Sequence, residues 1–252
     1  MICVILQPTY LPWIGYFDLI DSSDVFVFYD DVQIVKNTSN SFDIRNRMKS
    51  KDGEVWIKVP LIKKSLKDMK FNNTVIDDTH NWREKHLRTM NLLYSRAKYY
   101  DEVYPFISEL IKIKYTTIGD INIKLIIEIC KKINIQVHFL KSSDIGISGN
   151  NKINKLVNIC KECVCDKYLS PFGAHKYIEK DNGRKEFDIQ RITLLYHNYE
   201  HPIYNQLFGE FRPFMSIIDL LFNVGFKDSL YFIRQGRKEP YNSNYFWNEK
   251  ES

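Results

Sequence analysis

Two short apolar runs open the chain, and each ends abruptly on polar residues. "ICVIL" (2–6) stops at Gln7, and "VFVFY" (25–29) stops at a pair of aspartates. Continuous apolar and β-branched runs of this length are typical of strands buried on both faces. Between them, "WIGYFDLI" (13–20) has the spacing of apolar residues that favours a helix. The chain is therefore predicted to begin with a β-α-β unit.

Strand and helix patterns continue to alternate in the rest of the chain. The patterns predict strands over 55–61, 135–140, 167–169 and 191–197, and helices over 121–133, 151–163, 174–180 and 214–225, the last ending at Gly225. Such alternation favours an α/β fold with a mostly parallel sheet. We expect one α/β domain over 1–237, with a helical insertion at about 79–118 and a polar tail over 238–252.

Composition narrows the class of protein. The chain has 252 residues, of which 44% are hydrophobic, and its net charge is +5. This mild positive charge suits an anionic small molecule, while the lack of a long basic run argues against DNA. No apolar run approaches the roughly 18 residues of a membrane span, and the first run is too short for a signal peptide. These features predict a cytoplasmic protein without a membrane span.

The five cysteines favour reduced thiols over a metal site. Three of them lie together in "CKECVC" (160–165). Neither a second cysteine pair nor a nearby histidine completes the four ligands that a zinc site needs. We therefore expect no metal.

Polar or turn-forming residues follow five of the predicted strands. In open α/β sheets, ligands bind beyond the carboxyl ends of the strands, because these ends meet at one edge. The pattern thus predicts a polar-lined cleft at that edge. The strand-end residues are Gln7, Asp30, Asp31, Ser142, Ser170 and His197, and Gln33 follows shortly after the aspartate pair.

Four residues are candidates for acid–base catalysis. Asp30 and Asp31 could bind a cation, orient an amine or act as a general base, although aspartate is also common where strands simply turn. His197 and His201 could carry a proton near neutral pH, and the sequence does not separate the two.

Further residues are candidates for substrate binding. Tyr10, Trp13 and Tyr16 could stack on a base or sugar ring, or could pack in the core. The stretch "RNR", which comprises Arg45, Asn46 and Arg47, could bind phosphate or carboxylate, or could be a solvated loop. His86 lies on the apolar stripe of a predicted helix, where it could be active or simply packed.

Several common catalytic motifs are absent from the sequence. It contains no G-x-x-x-x-G-K-[ST] phosphate loop, no G-x-G-x-x-G dinucleotide fingerprint and no G-x-S-x-G nucleophile elbow. No cofactor is evident.

Taken together, the motifs resemble the WbqC-like family over nearly the whole chain. They include "QPTYLPWIGYFDLI", "DVFVFYDDVQ", "NWREKHLRTM", "YLSPFGAHKY" and "SIIDLLFNVG". Members of this family occur with bacterial O-antigen and other surface-polysaccharide genes. The resemblance implies a transferase that moves an acyl or aminoacyl group, from an unidentified donor, to the amine of a nucleotide-linked amino sugar.

The chain departs from the family pattern at two places. Phe42 stands where members commonly have a tryptophan, and "SPFGA" (170–174) stands where the family usually has a glycine-rich turn. Pro171 removes a backbone N–H that could have bound an anion, so anion binding through that turn is not expected.

A fainter similarity links the N-terminal region to pantothenate-synthetase-type nucleotidylyltransferases, which implies a Rossmann-like sheet. Those enzymes carry H-x-G-H where this chain has "WIGY", with Trp13 and Tyr16. Neutral aromatic rings cannot supply the charge of a protonated imidazole to a transferring phosphoryl group. Two alternatives remain, namely an adenylate-forming or nucleotidylyl-transfer enzyme and a non-catalytic sugar-nucleotide-binding or scaffold protein. The oligomeric state stays open.

Overall fold

A mostly parallel sheet with β1 near its centre organises the fold. The computed structural model describes residues 1–34, 42–62, 65, 68–180 and 183–243. Its strands are β1 (Ile2–Leu6), β2 (Val25–Phe28), β3 (Arg45–Ser50), β4 (Gly53–Lys58), β5 (His138–Lys141), β6 (Lys167–Ser170), β7 (Thr193–Tyr196) and β8 (Tyr241–Asn242). The main sheet has the order β5-β2-β1-β6-β7-β8, in which only β8 is antiparallel to its neighbour. The predicted α/β class with a mostly parallel sheet is confirmed.

Helices cover both faces of the sheet. They are α1 (Ile14–Asp21), α2 (Trp82–Tyr94), α3 (Tyr100–Lys112), α4 (Ile118–Lys132), α5 (Ser142–Ile145), α6 (Lys152–Glu162), α7 (His175–Ile178), α8 (Arg184–Ile189) and α9 (Ile217–Gln235). Alternate residues of a strand point to opposite faces, so Val4 joins the core beneath α1, α4 and α9, while Cys3 and Ile5 join the core beneath α6 and α8. Within the described residues, no helix combines the length and apolarity needed to cross a bilayer.

The stretch predicted as a helical insertion, 79–118, contains α2 and α3. These helices pack on each other, and they also contact β3 and α9. Here β3 and β4 form a separate antiparallel hairpin, so the strand predicted at 55–61 does not join the main sheet. Because Arg45, Asn46 and Arg47 lie on β3, the alternative of a solvated loop for "RNR" is wrong.

The predicted end of the last helix at Gly225 is wrong. Helix α9 continues to Gln235, and Gly225 lies at a kink inside it with φ 83° and ψ 170°. The helix resumes because its second half still carries apolar residues, including Phe226 and Ile233, which bury in the core. A side chain at Gly225 would meet the Tyr99 ring, whose Cδ1 lies 2.6 Å from the position of a Cβ.

The polar stretch 238–252 adds a strand to the sheet. Tyr241 and Asn242 form β8, which pairs with Tyr196 and Leu195 of β7. Residues 244–252 of the predicted tail lie outside the described part of the chain.

Candidate functional site

The order of the sheet strands reverses at β1. From β1 the chain moves to β2 on one side, and only much later to β6 on the other. Such a switch point opens a crevice at the carboxyl ends of the two diverging strands, and ligands of open α/β sheets bind there. Two clefts lie at this point. They share Leu6, Gln7, Pro171 and Gly173.

Cleft 1 has a volume of about 490 Å³ and cleft 2 of about 660 Å³. Both volumes fall in the range of roughly 300–1,000 Å³ that small-molecule sites occupy. Cleft 1 is lined further by Thr9, Trp13, Tyr16, Leu19, Phe172, His197, Asn198, Tyr199 and Tyr241. Cleft 2 is lined further by Ile5, Tyr29, Val32, Gln33, Lys152, Leu156, Tyr168, Ala174 and Tyr177.

In cleft 1, His197 is held by a buried carboxylate. Its Nε2 lies 2.7 Å from Oδ2 of Asp18, which is fully buried on α1. A carboxylate can only accept, so Nε2 carries a hydrogen, and in the neutral ring Nδ1 is then the nitrogen with the lone pair. In the part of the chain that the structure describes, no other group bonds to Nδ1. His197 therefore has the arrangement of a general base oriented by a third group.

The carboxylate that holds His197 is itself part of an ion network. Arg237 donates from Nε to Oδ1 of Asp18 over 2.8 Å, and it also contacts Asp21. Arg234 donates to both oxygens of Asp21 at 2.8 Å. Burial alone would raise the pKa of Asp21, but the hydrogen bonds from the two arginines lower it below its usual value. The network fixes the side chain of Asp18 next to His197, and Asp18 is not among the residues that line cleft 1.

Aromatic side chains form one wall of cleft 1. The ring of Trp13 packs edge-on against Tyr199, with centroids 5.6 Å apart, and covers Gly15 so closely that a Cβ there would collide with it. Tyr16 donates from its hydroxyl to the carbonyl of Gln7 over 3.0 Å. Trp13 and Tyr16 also border cleft 3, a smaller cavity of about 250 Å³ that reaches Phe42, Asn46, Arg47 and Phe214.

His201 lies behind Trp13, outside the linings of the three clefts. Its Nδ1 donates to the carbonyl of Pro202 over 2.9 Å, and its Nε2 is buried without a partner among the described residues. Its ring stacks on Trp13 at 6.1 Å, and burial lowers its pKa. Of the two histidines that the sequence did not separate, only His197 is among the described residues that line these three clefts.

The carboxylates of Asp30 and Asp31 accept hydrogen bonds from other segments of the protein. Asp30 is buried and accepts from the backbone N–H of Ser143 at 2.9 Å and from its hydroxyl at 2.7 Å. Asp31 accepts from the Ser142 hydroxyl at 2.6 Å and from Lys155 Nζ at 2.5 Å. Burial would raise the pKa of Asp31, but the bonds from Lys155 and Ser142 lower it. These contacts fasten the ends of β2 and β5, and none of the three residues Asp30, Asp31 and Ser142 lines the three clefts.

Tyr10 and His86 meet inside the core. The Tyr10 hydroxyl lies 3.0 Å from His86 Nδ1, while His86 Nε2 donates to the carbonyl of Lys58 over 3.2 Å. Burial lowers the pKa of His86 to about 4, so the ring is neutral at pH 7. Both side chains are buried and line none of the three clefts, and the same holds for Ser170.

The three residues of "RNR" have different surroundings. The guanidinium of Arg45 lies over the Trp56 ring, 4.5 Å from its centroid. Arg47 donates to both carboxylate oxygens of Glu54, at 3.1 and 3.0 Å, so its positive charge is already paired with a carboxylate. Asn46 is buried and donates to the backbone carbonyls of Tyr10 and Leu11, which holds the loop after β1.

Sequence reasoning missed Asp18, which holds His197, and Arg237, which holds Asp18. Asp18 carries a signal, because it is a charged residue inside a strongly apolar helix and therefore needs a buried partner. Arg237 carries none, since it lies beyond the expected end of the last helix and 219 positions from Asp18.

Among the residues that the structure describes, no group of three or more His, Cys, Asp or Glu side chains could hold a metal ion. All five cysteines are free thiols.

The fold and the clefts place this chain among the α/β proteins that have a mostly parallel sheet with clefts at its switch point. The chain belongs to the WbqC-like protein family, whose family model matches residues 7–231. A protein of Mycobacterium tuberculosis (strain ATCC 25618 / H37Rv), named "Uncharacterized protein Rv1507c", is 34% identical over 235 residues, which cover 92% of this chain and 98% of that protein. No solved structure matches the chain.

Proposed function

We propose that this protein is a transferase of bacterial surface-polysaccharide (O-antigen) biosynthesis. It would transfer an acyl or aminoacyl group to the amine of a nucleotide-linked amino sugar, in the cytoplasm, where such sugars are made. Membership of the WbqC-like family supports the pathway. The observation that carries the chemistry is His197, which lines cleft 1 with Nε2 bound to buried Asp18 and Nδ1 left as an acceptor.

Each part of cleft 1 has a role in this reaction. The nitrogen of an amine becomes positively charged as it attacks an acyl carbon, and His197 Nδ1 would take the proton that this nitrogen loses. The new N–C bond forms while the bond from the acyl carbon to the donor's leaving group breaks, and the imidazolium returns its proton to that leaving group. Asp18 stabilises the imidazolium during this step. Trp13 and Tyr16 supply flat apolar surface for a sugar or base.

A thermal-shift screen with UDP-, dTDP-, GDP- and CDP-linked amino sugars, ATP and acyl-CoA tests this function. A ligand at 100 times its Kd stabilises the folded state by about 2.7 kcal/mol, which for a chain of this size raises Tm by about 5–10 °C. We expect such a shift with a nucleotide-linked amino sugar. A shift with ATP alone, together with pyrophosphate release, would instead favour the adenylation alternative.

Variants of the two histidines test the mechanism. His197→Gln is expected to keep the thermal shift but to lose about 10²–10⁴-fold in transfer rate. His201→Gln is the matched control, because its imidazole lies outside the cleft, and it is expected to keep the rate. If His197→Gln transfers the acyl group as fast as the wild type, the proposed role of His197 is wrong. Binding without any turnover in the wild type would favour the non-catalytic alternative.

A further inference from the structure

Cleft 2 contains a lysine whose charge is unmatched. Lys152, at the start of α6, places Nζ over the ring of Tyr177, 3.8 Å from the centroid. One turn later, Lys155 is paired with Asp31, whereas Lys152 has no carboxylate partner within the described residues. Its side chain remains open to solvent, but partial loss of hydration against its neighbours lowers its pKa. An anion bound here would stabilise its positive charge.

Two tyrosine hydroxyls in the same cleft also lack partners. Neither Tyr29 nor Tyr177 makes a hydroxyl hydrogen bond in the part of the chain that the structure describes, and both line cleft 2. Burial raises the pKa of each to about 12, so both keep their hydrogen at neutral pH and can donate it. Together with Lys152, they give one cavity three donor groups that have no hydrogen-bond acceptor among the described residues.

We propose that cleft 2 binds the phosphate groups of the nucleotide-linked ligand through Lys152, Tyr29 and Tyr177. Phosphate oxygens accept several charge-assisted hydrogen bonds at once, which matches an ammonium and two hydroxyls that line one cavity. Clefts 1 and 2 share Gln7 and Gly173, so one ligand can extend from the phosphate site to His197. At Gly173 nothing lies within 4 Å of the position of a Cβ, which leaves room for a ligand to approach the backbone. The identity of the ligand rests on the proposed function, but the phosphate site itself does not.

Calorimetric titration of the full chain with UDP, uridine and inorganic pyrophosphate tests the site. We expect UDP and pyrophosphate to bind, and Lys152→Met to weaken both by about tenfold or more, which corresponds to about 1.4 kcal/mol. Lys152→Arg is expected to restore most of the affinity, and uridine binding is expected to stay unchanged. Lys161→Met is the matched control on α6, because Lys161 Nζ bonds to Gln190 and neither residue lines cleft 2.

Two results would overturn the phosphate site. One is wild-type protein that binds neither UDP nor pyrophosphate at millimolar concentration. The other is a Lys152→Met variant whose affinities stay within twofold of the wild type while it remains folded by circular dichroism. Since the titration needs no turnover, its failure is separate from that of the transferase mechanism. That mechanism instead fails if His197→Gln keeps full activity, even when the Lys152 result holds.

Discussion

Replacing Asp18 by asparagine separates the stabilising role of the buried ion network from its role in holding His197. Asp18 is fully buried and accepts two charge-assisted hydrogen bonds, one from Arg237 at 2.8 Å and one from His197 at 2.7 Å. Removing one partner of a buried pair costs about 3–5 kcal/mol. Asparagine keeps one oxygen acceptor, so we expect the free energy of unfolding to fall by about 3 kcal/mol and Tm to fall by about 6–12 °C.

The same substitution acts on the imidazole. The asparagine amide can present an N–H to His197 Nε2, which would then become the acceptor and move the hydrogen to Nδ1. Nδ1 could no longer take a proton from the substrate, and the transfer rate is expected to fall by about 10²–10⁴-fold. Nitrogen-15 NMR of the ring would show directly which nitrogen of His197 carries the hydrogen.

Asp21→Asn supplies the matched control. Asp21 is nearly buried and bonds to Arg234 and Arg237, but it does not touch His197. We expect it to lower Tm while the transfer rate and the tautomer of His197 stay unchanged. If Asp18→Asn keeps its rate, or Asp21→Asn loses as much, the orienting role of Asp18 is refuted.

Two further predictions concern the fold. Burial lowers the pKa of His86 from 6.5 to about 4. The unfolded state therefore takes up the proton first, and the free energy of unfolding is expected to fall by about 3 kcal/mol as the pH is lowered from 6.5 to 4. Urea unfolding of the wild type should show this fall, and an equal fall in His86→Gln would contradict the prediction. Gly225→Ala is expected to cost at least about 2 kcal/mol, because it adds a clash with Tyr99 to an unfavourable backbone conformation. Gly209→Ala, at φ 75° but in open space, should cost less, and equal losses of Tm would show that Tyr99 contributes nothing.

Much of the sheet can be predicted from the sequence because buried parallel strands consist of continuous runs of apolar residues. β1 and β2 follow directly from "ICVIL" and "VFVFY". The α9 boundary could not be predicted in this way. A glycine with positive φ usually follows the end of a helix, and only the tertiary packing of Tyr99 and the later apolar residues makes Gly225 a kink instead.

The sequence predicts at which edge of the sheet the candidate site lies, but it predicts only some of the residues that line it. Strand ends do meet at one edge, and there Gln7 and His197 line cleft 1. The same rule also selected Asp30 and Asp31. Their carboxylates accept hydrogen bonds from the serines of α5 and from the lysine of α6 that pairs with Asp31. Sequence position shows which side chains arrive at an edge, but not which of them are already bonded to a neighbouring segment.

The central place of β1 has a consequence for the order of folding. β1 pairs with β2 across a short stretch of chain, but its other neighbour, β6, is synthesised far later, as the contact between Met1 and Asp166, 165 positions apart, illustrates. Contacts so distant in sequence form slowly. Both clefts need Pro171 and Gly173, which follow β6, so a nascent chain that holds only the first β-α-β unit has neither. During refolding, ligand binding is therefore expected no earlier than the docking of β6 on β1.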